Sequence, residues 1–177
     1  MGRTPKLFMN KKLLIRATIP SGILGSAALI IYFFTFYLAQ IPYLDKIYNL
    51  EFWIPLPIII VSIYYYRKAA GELRFWQGFL VGYLVNIIML FTYIIFLVLM
   101  FCVFDEAFLS KSISAFIAEK HSERELILKS GWSEEEFNNL LKIAKNTTIS
   151  SIVQGKIIVL SIAGLIYTVI LSMLFRK

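Results

Sequence analysis

The chain has 177 residues, of which 59% are hydrophobic and 16% are charged, and it carries a formal net charge of +7. Soluble domains are about 45–50% hydrophobic and about 25% charged, so this composition excludes an ordinary soluble domain. The bases gather in short clusters beside apolar segments, and this pattern indicates a lipid bilayer and no nucleic acid as the expected partner.

Charge-free segments divide the sequence. Residues 17–44, 75–104 and 157–175 contain no charged side chain, and residues 52–66 form a shorter segment of the same kind. A helix rises about 1.5 Å per residue, so about 20 apolar residues cross a hydrocarbon core of roughly 30 Å. Because the segments are continuously apolar and do not alternate, they predict helices. The sequence therefore predicts an all-α polytopic membrane protein, a single membrane domain over residues 1–177 with four transmembrane helices.

The first predicted span covers residues 13–40 and follows a basic N-terminal segment. Its apolar run is longer than the about 7–15 residues of a cleaved signal peptide, so we expect an uncleaved anchor. Gly22, Gly25 and Ser26 place small side chains on one helical face. Small residues allow two helix backbones to approach closely, so we expect a helix–helix contact at this face.

The second predicted span, residues 48–66, is the shortest. It has to begin near Tyr48, with Glu51 in the headgroup region, if it is to cross the bilayer. Pro55 and Pro57 fall in its first turns and are expected to distort its outer end, and a functional hinge is the alternative.

The third predicted span covers residues 75–104. Gly78 and Gly82 form a GxxxG motif, which predicts a close contact, most plausibly with residues 22–28 of the first span. Asn86 is the most deeply placed strongly polar side chain. We expect it to hydrogen-bond to another helix, and substrate binding is the alternative.

The fourth predicted span covers residues 156–175. Gly164, Thr168 and Ser172 follow one another at intervals of four residues and predict a second small-residue packing face. Lys156 enters from the outer side, where its long side chain is expected to reach the interface.

A helical insert, residues 105–155, is predicted between the third and fourth spans. Serine followed by glutamate predicts capping boxes at residues 122–125 and 133–136, and Gly131 is expected to end the helix between them. The apolar residues predicted to pack on the membrane-facing side of this cap are Phe108, Ile113, Phe116, Phe137, Leu140 and Leu141.

The residue types that hold metals and disulfides are scarce. His121 lies between Glu119 and Glu123, but positions two apart on a helix point in different directions, so we expect a solvated histidine and no metal site. The single cysteine, Cys102, excludes an internal disulfide and is expected to be a packed thiol.

The basic clusters predict the orientation. Short loops rich in Lys and Arg stay in the cytoplasm, and with four spans all three clusters fall on one side. The expected topology has both termini in the cytoplasm and residues 105–156 on the outer side of the membrane. The clusters comprise the bases of residues 1–16, then Arg67, Lys68 and Arg74, and finally Arg176 and Lys177.

Two stretches resemble a known family. Residues 71–82 read GELRFWQGFLVG and resemble the G-x-x-x-F-x-x-G/A-F-x-x-G pattern of a Bacteroidota membrane-protein family, domain of unknown function 4199. Residues 131–137, GWSEEEF, are similar to its G-M-S-x-E-x-I stretch, and residues 164–166 with the basic tail match its last span. The resemblance implies a four-span integral protein of a bacterial inner membrane, with residues 105–156 in the periplasm, and brings no catalytic or binding residues with it.

No P-loop, GxSxG or HExxH motif appears in the sequence, so we expect neither an enzyme nor a bound cofactor. The leading hypothesis is a non-enzymatic accessory subunit or scaffold that presents its helical cap outside. Its expected partners are the lipid bilayer and other membrane-protein subunits or further copies of itself. The alternative is a small oligomeric transporter or channel with Asn86, Gln40 and Gln77 as polar candidates, and an intramembrane enzyme is a third hypothesis.

Overall fold

The computed structural model describes residues 11–41 and 46–176, with the backbone alone for residues 46–49. Residues 1–10, residues 42–45 and Lys177 therefore lie outside the described residues, although the predicted topology draws on several of their charges. In the described part of the chain every regular element is a helix, which agrees with the predicted all-α class. The order is α1 Lys11–Leu38, a 3-10 helix Lys46–Trp53, α2 Pro55–Ala70, α3 Phe75–Leu99, a π-helical segment Met100–Phe104, α4 Glu106–Ser122, α5 Arg124–Lys129, α6 Glu134–Lys145 and α7 Ile149–Leu174.

Three of the described helices are long and apolar enough to cross a membrane, namely α1, α3 with its π-helical extension, and α7. The second predicted span is different, because its first part is the 3-10 helix and only α2 is α-helical. Pro55 is the first residue of α2, where its missing N–H costs no helical hydrogen bond. With 16 residues, α2 rises about 24 Å, which is less than the hydrocarbon core.

The last helix begins earlier than the sequence predicted, at Ile149 instead of residue 156. Thr148 and Ser151 exchange hydrogen bonds, since the N–H of Ser151 donates to Thr148 Oγ1 at 3.2 Å and the N–H of Thr148 donates to Ser151 Oγ at 3.0 Å. This reciprocal cap starts the helix about two turns before the charge-free segment. Lys156 consequently lies inside α7 and not at its end.

The predicted caps of the insert differ in outcome. At Ser133 both halves of the capping box are present, with Glu136 as the partner, and Gly131 follows α5 with a φ of +101°. The box predicted at Ser122 is wrong, because α4 continues through this residue and its hydroxyl donates to the Glu119 carbonyl. The prediction of a packed thiol at Cys102 is also wrong, because this residue of the π-helical segment is exposed.

The chain divides into two compact units, and α1, α3 and α7 each contribute residues to both. The first unit comprises Met1–Leu29, Phe52–Tyr93 and Ile158–Lys177. In it the Ser62 hydroxyl of α2 donates to the Ala17 carbonyl of α1 at 2.9 Å. Its core cluster consists of Ala17, Ile59, Ile63, Tyr66, Leu73, Val81, Val85 and Leu171.

The second unit comprises Ile30–Glu51 and Ile94–Ile157 and has an aromatic core. Phe33 lies at its centre, with ring centroids 5.3 Å from Phe96, 6.1 Å from Phe101 and 6.0 Å from Phe108. The helices α4, α5 and α6 pack on one another. Of the six apolar residues predicted for one face of this cap, Phe108, Phe116, Phe137 and Leu141 are buried, and Ile113 and Leu140 are half-buried.

Candidate functional site

The glycines of α3 and the polar residues of α7 pair in a regular ladder in the first unit. A Cβ atom placed on Gly78 would lie 3.1 Å from the Ser172 hydroxyl, and one on Gly82 would lie 2.8 Å from the Thr168 hydroxyl. One turn further, the relation reverses, and a Cβ on Gly164 of α7 would overlap the amide of Asn86. We call these six residues the glycine seam.

Each pair of the glycine seam lies four residues from the next on both helices, so the ladder repeats once per turn of an antiparallel helix pair. Glycine is required on one side of each rung because a polar side chain from the other helix occupies the space of its Cβ. The seam therefore brings together the small-residue patterns of the third and fourth predicted spans.

Asn86 is 4% exposed and reaches across the seam, where its amide group donates to the Leu160 carbonyl at 3.4 Å. Its Oδ1 atom and the Thr168 hydroxyl are buried, and neither has a hydrogen-bond partner among the described residues. The Ser172 hydroxyl donates to the Thr168 carbonyl at 2.6 Å. The seam thus holds polar atoms in an apolar environment, where each such atom carries a desolvation cost.

The predicted partner of the GxxxG motif is wrong. The side chains nearest to Gly78 and Gly82 include those of α7, and the small face of α1 contacts α3 at a different level. A Cβ on Gly22 would lie 2.6 Å from Ile88, and one on Gly25 would lie 2.5 Å from the Met89 sulfur. Short hydroxyl side chains fit directly over the α3 glycines, whereas the glycines of α1 accommodate long side chains.

The remaining predicted polar candidates serve local purposes. The Ser26 hydroxyl is buried and donates to the Ile23 carbonyl of its own helix at 2.8 Å. The Gln77 side chain accepts a hydrogen bond from the Arg74 N–H at the start of α3. Gln40 has a φ of 56° and follows the end of α1.

A buried ion pair in the second unit was missed by the sequence reasoning. Lys156 Nζ of α7 lies 2.7 Å from Glu51 Oε1 of the 3-10 helix, and the two side chains are 11% and 1% exposed. The sequence signal was a single acid near one span and a single base near another, but no local pattern connects positions so far apart. Removing one member of such a pair leaves a buried charge without its partner.

A groove in the second unit joins the end of α1 to the start of α4. It has a volume of about 490 Å³, and its walls include Tyr37, Ile41, Asp105, Phe108 and Lys111. The Tyr37 hydroxyl donates to Asp105 Oδ2 at 3.0 Å. We call this feature the interfacial groove, and it combines an acid, a base and two aromatic rings.

The cap carries its own charge pairs. Lys120 contacts Glu123 at 2.7 Å and Glu119 at 2.9 Å. Partial burial lowers the pKa of Lys120, but the hydrogen bonds to Glu123 and Glu119 outweigh this effect and the pKa is raised. The ring of His121 is exposed and contacts Phe137. Where the structure describes the chain, no cluster of three potential ligands from His, Cys, Asp and Glu forms a metal site.

A sequence profile described as "Protein of unknown function (DUF4199)" matches residues 20–177. No curated protein and no solved structure matches the chain significantly. The matched region includes the glycine seam, the buried ion pair and the interfacial groove.

Proposed function

Because the chain belongs to the DUF4199 family, whose function is unknown, we propose a function from its own surfaces: a non-enzymatic accessory subunit or scaffold of the membrane. Its long apolar helices are compatible with a membrane protein. The part available to a partner outside the lipid is the cap formed by α4, α5 and α6.

Exposed apolar side chains on the cap carry this proposal. Leu126, Trp132 and Ile143 are 71%, 46% and 69% exposed. Phe137 and Leu141 already fill the interior of the cap, so these three side chains have no role in its own core. Large apolar side chains, and tryptophan above all, are typical anchors of protein interfaces. The proposed partners are other membrane-protein subunits or a second copy of the chain.

The test compares the cap with the lipid-facing surface. A variant with Leu126→Ala, Trp132→Ala and Ile143→Ala is purified in mild detergent beside the wild type, and co-eluting proteins are identified by mass spectrometry. We expect the variant to lose a stoichiometric partner or the homo-oligomer. The matched control changes two exposed positions on α7, Ile158→Ala and Ile162→Ala. We expect this control to retain the partner or the homo-oligomer. Equal recovery from both variants contradicts the proposal.

The proposed topology has four spans in a single membrane domain, both termini in the cytoplasm of a bacterium, and residues 105–156 in the periplasm. The 3-10 helix and α2 support the fourth span, because they follow one another with only Ile54 between them. A cytoplasmic reporter fused after Lys177 and a periplasmic reporter inserted at Ser130 are both expected to be active. A cytoplasmic reporter that is active at Ser130 contradicts this topology.

The buried Glu51–Lys156 pair favours a second candidate, a small oligomeric transporter or channel. Ionisable groups inside spans commonly mark ion pathways, and Lys156 lies in a helix long enough to cross a membrane. If the protein transports, purified wild-type protein supports flux in liposomes and Lys156→Met abolishes it while the protein remains folded. Flux that is unchanged in Lys156→Met argues against this candidate.

A further inference from the structure

The interfacial groove begins where an apolar segment ends. The span formed by α3 and its π-helical extension ends at Phe104, and Asp105 of the groove is the next residue. Tyr37 lies in the last turn of the α1 span, and its ring centroid is 4.9 Å from that of Phe108 in the groove wall. In the proposed topology, on which this proposal rests, both span ends lie at the outer surface of the membrane, and the groove therefore lies at the depth of lipid headgroups.

The walls of the groove carry one acid, Asp105, and one base, Lys111. Asp105 occupies the N-cap position of α4 but makes no side-chain capping bond, and its Oδ2 atom accepts a hydrogen bond from the Tyr37 hydroxyl. Lys111 follows Phe108 by three residues, is exposed and lines the same groove. An acid beside aromatic rings suits an ammonium group, and a lysine suits a phosphate.

An apolar track leads into the groove along α1. Ile31, Phe34 and Leu38 are exposed and follow one another at intervals of three and four residues. This spacing places them on one helical face, and Leu38 at the end of this face also lines the groove. A ligand with a charged head and long alkyl chains would contact both the groove and this track.

We propose that the interfacial groove binds the headgroup of a phospholipid that carries a primary amine, such as phosphatidylethanolamine. The ammonium group donates hydrogen bonds to Asp105 and lies against the rings of Tyr37 and Phe108, and the phosphate pairs with Lys111. The groove volume of about 490 Å³ lies within the about 300–1,000 Å³ of small-molecule sites. The acyl chains follow Leu38, Phe34 and Ile31.

The test uses the full chain, delipidated in detergent, and lipids with identical acyl chains. Binding is measured by native mass spectrometry and by the shift of the unfolding temperature. Phosphatidylcholine keeps the phosphate and the positive charge but has no N–H, and phosphatidylglycerol has no cation. We expect phosphatidylethanolamine to bind about tenfold more tightly than either, since only its ammonium group can donate charge-assisted hydrogen bonds to Asp105. Equal binding of the three lipids overturns the proposal.

Variants locate the site. Asp105→Asn and Lys111→Gln are each expected to weaken phosphatidylethanolamine binding about tenfold. Glu135→Gln and Lys129→Gln, which change exposed residues of the cap, are the charge-matched controls and leave binding unchanged. If Asp105→Asn does not fold, the exposed Lys111 still decides the result. Unchanged binding in Lys111→Gln overturns the proposal.

A soluble ligand with the same headgroup is the competing source. Glycerophosphoethanolamine lacks acyl chains and therefore cannot contact Ile31, Phe34 or Leu38. We expect it to displace the lipid poorly even at a large excess. If it binds as tightly as the lipid, the groove serves a soluble metabolite and the assignment to a membrane lipid is wrong.

Discussion

The glycine seam and the Glu51–Lys156 pair hold helices together by opposite means. The seam repeats a close contact between small neutral residues once per turn, and no charge takes part. The ion pair is a single contact between two opposite charges that are almost fully removed from solvent. A substitution in the seam is therefore expected to cause a local and moderate loss of stability. Loss of one member of the ion pair instead leaves a buried charge uncompensated.

The largest expected effect comes from breaking the ion pair on one side only. Lys156→Met leaves the Glu51 carboxylate buried without the ammonium 2.7 Å away and is expected to lower the free energy of unfolding by about 3–5 kcal/mol. The double variant Glu51→Gln with Lys156→Met removes both charges and should recover most of this loss. Thermal unfolding in detergent measures the stability of the single and the double variant, and Lys129→Met on the exposed cap is the control. A double variant less stable than Lys156→Met contradicts this account.

Overpacking the glycine seam is expected to have a smaller effect. Gly82→Leu places a large side chain where the Thr168 hydroxyl is already 2.8 Å from an added Cβ, and the expected loss of stability is about 1–3 kcal/mol. Gly155→Leu is the matched control, because no atom lies within 4 Å of a Cβ at that position. The unfolding temperature of Gly155→Leu should stay at or above that of the wild type. Equal effects of the two substitutions would show that the seam is not tightly packed.

These two regions also show what the sequence can predict. The intervals of four in Gly78, Gly82 and Asn86, and in Gly164, Thr168 and Ser172, are local patterns that place residues on one helical face. Which faces meet is a matter of tertiary packing, so the sequence alone favours residues 22–28 of α1 as the partner of the GxxxG motif, whereas the structure places side chains of α7 there. The pairing of Glu51 with Lys156 has no local pattern at all.

The ends of the helices also show where prediction from local sequence patterns stops. The charge-free segment at residues 157–175 predicts the apolar part of α7, but helix formation depends on backbone capping as well as on hydrophobicity. Thr148 and Ser151 supply the cap in a polar stretch that the hydropathy pattern assigns to the insert. The hydropathy pattern therefore predicts that the Lys156 side chain reaches the interface, whereas the structure buries it.

The two serine–glutamate motifs of the cap extend the comparison to local capping. Ser133→Ala removes the hydroxyl that accepts the Glu136 N–H and is expected to cost about 1 kcal/mol of stability. Ser122→Ala is the matched control, because Ser122 lies within α4 and its change should stay within about 0.5 kcal/mol. Unfolding measured by circular dichroism in detergent compares the two. An equal loss in both variants would mean that the capping box at Ser133 contributes nothing specific.

The smallest expected effect is a pH dependence at the same cap. The pKa of Glu136 is lowered from its ordinary value near 4.5 by hydrogen bonds from the Ser133 N–H and hydroxyl to its carboxylate. A group whose folded-state pKa is lowered stabilises the fold above its unfolded-state pKa, and this contribution is lost as the pH falls through the folded-state pKa. Wild type and Glu136→Gln should therefore differ by a constant amount above about pH 5 and converge at lower pH. Parallel stability profiles for the wild type and Glu136→Gln across this pH range would show that the lowered pKa has no effect on stability.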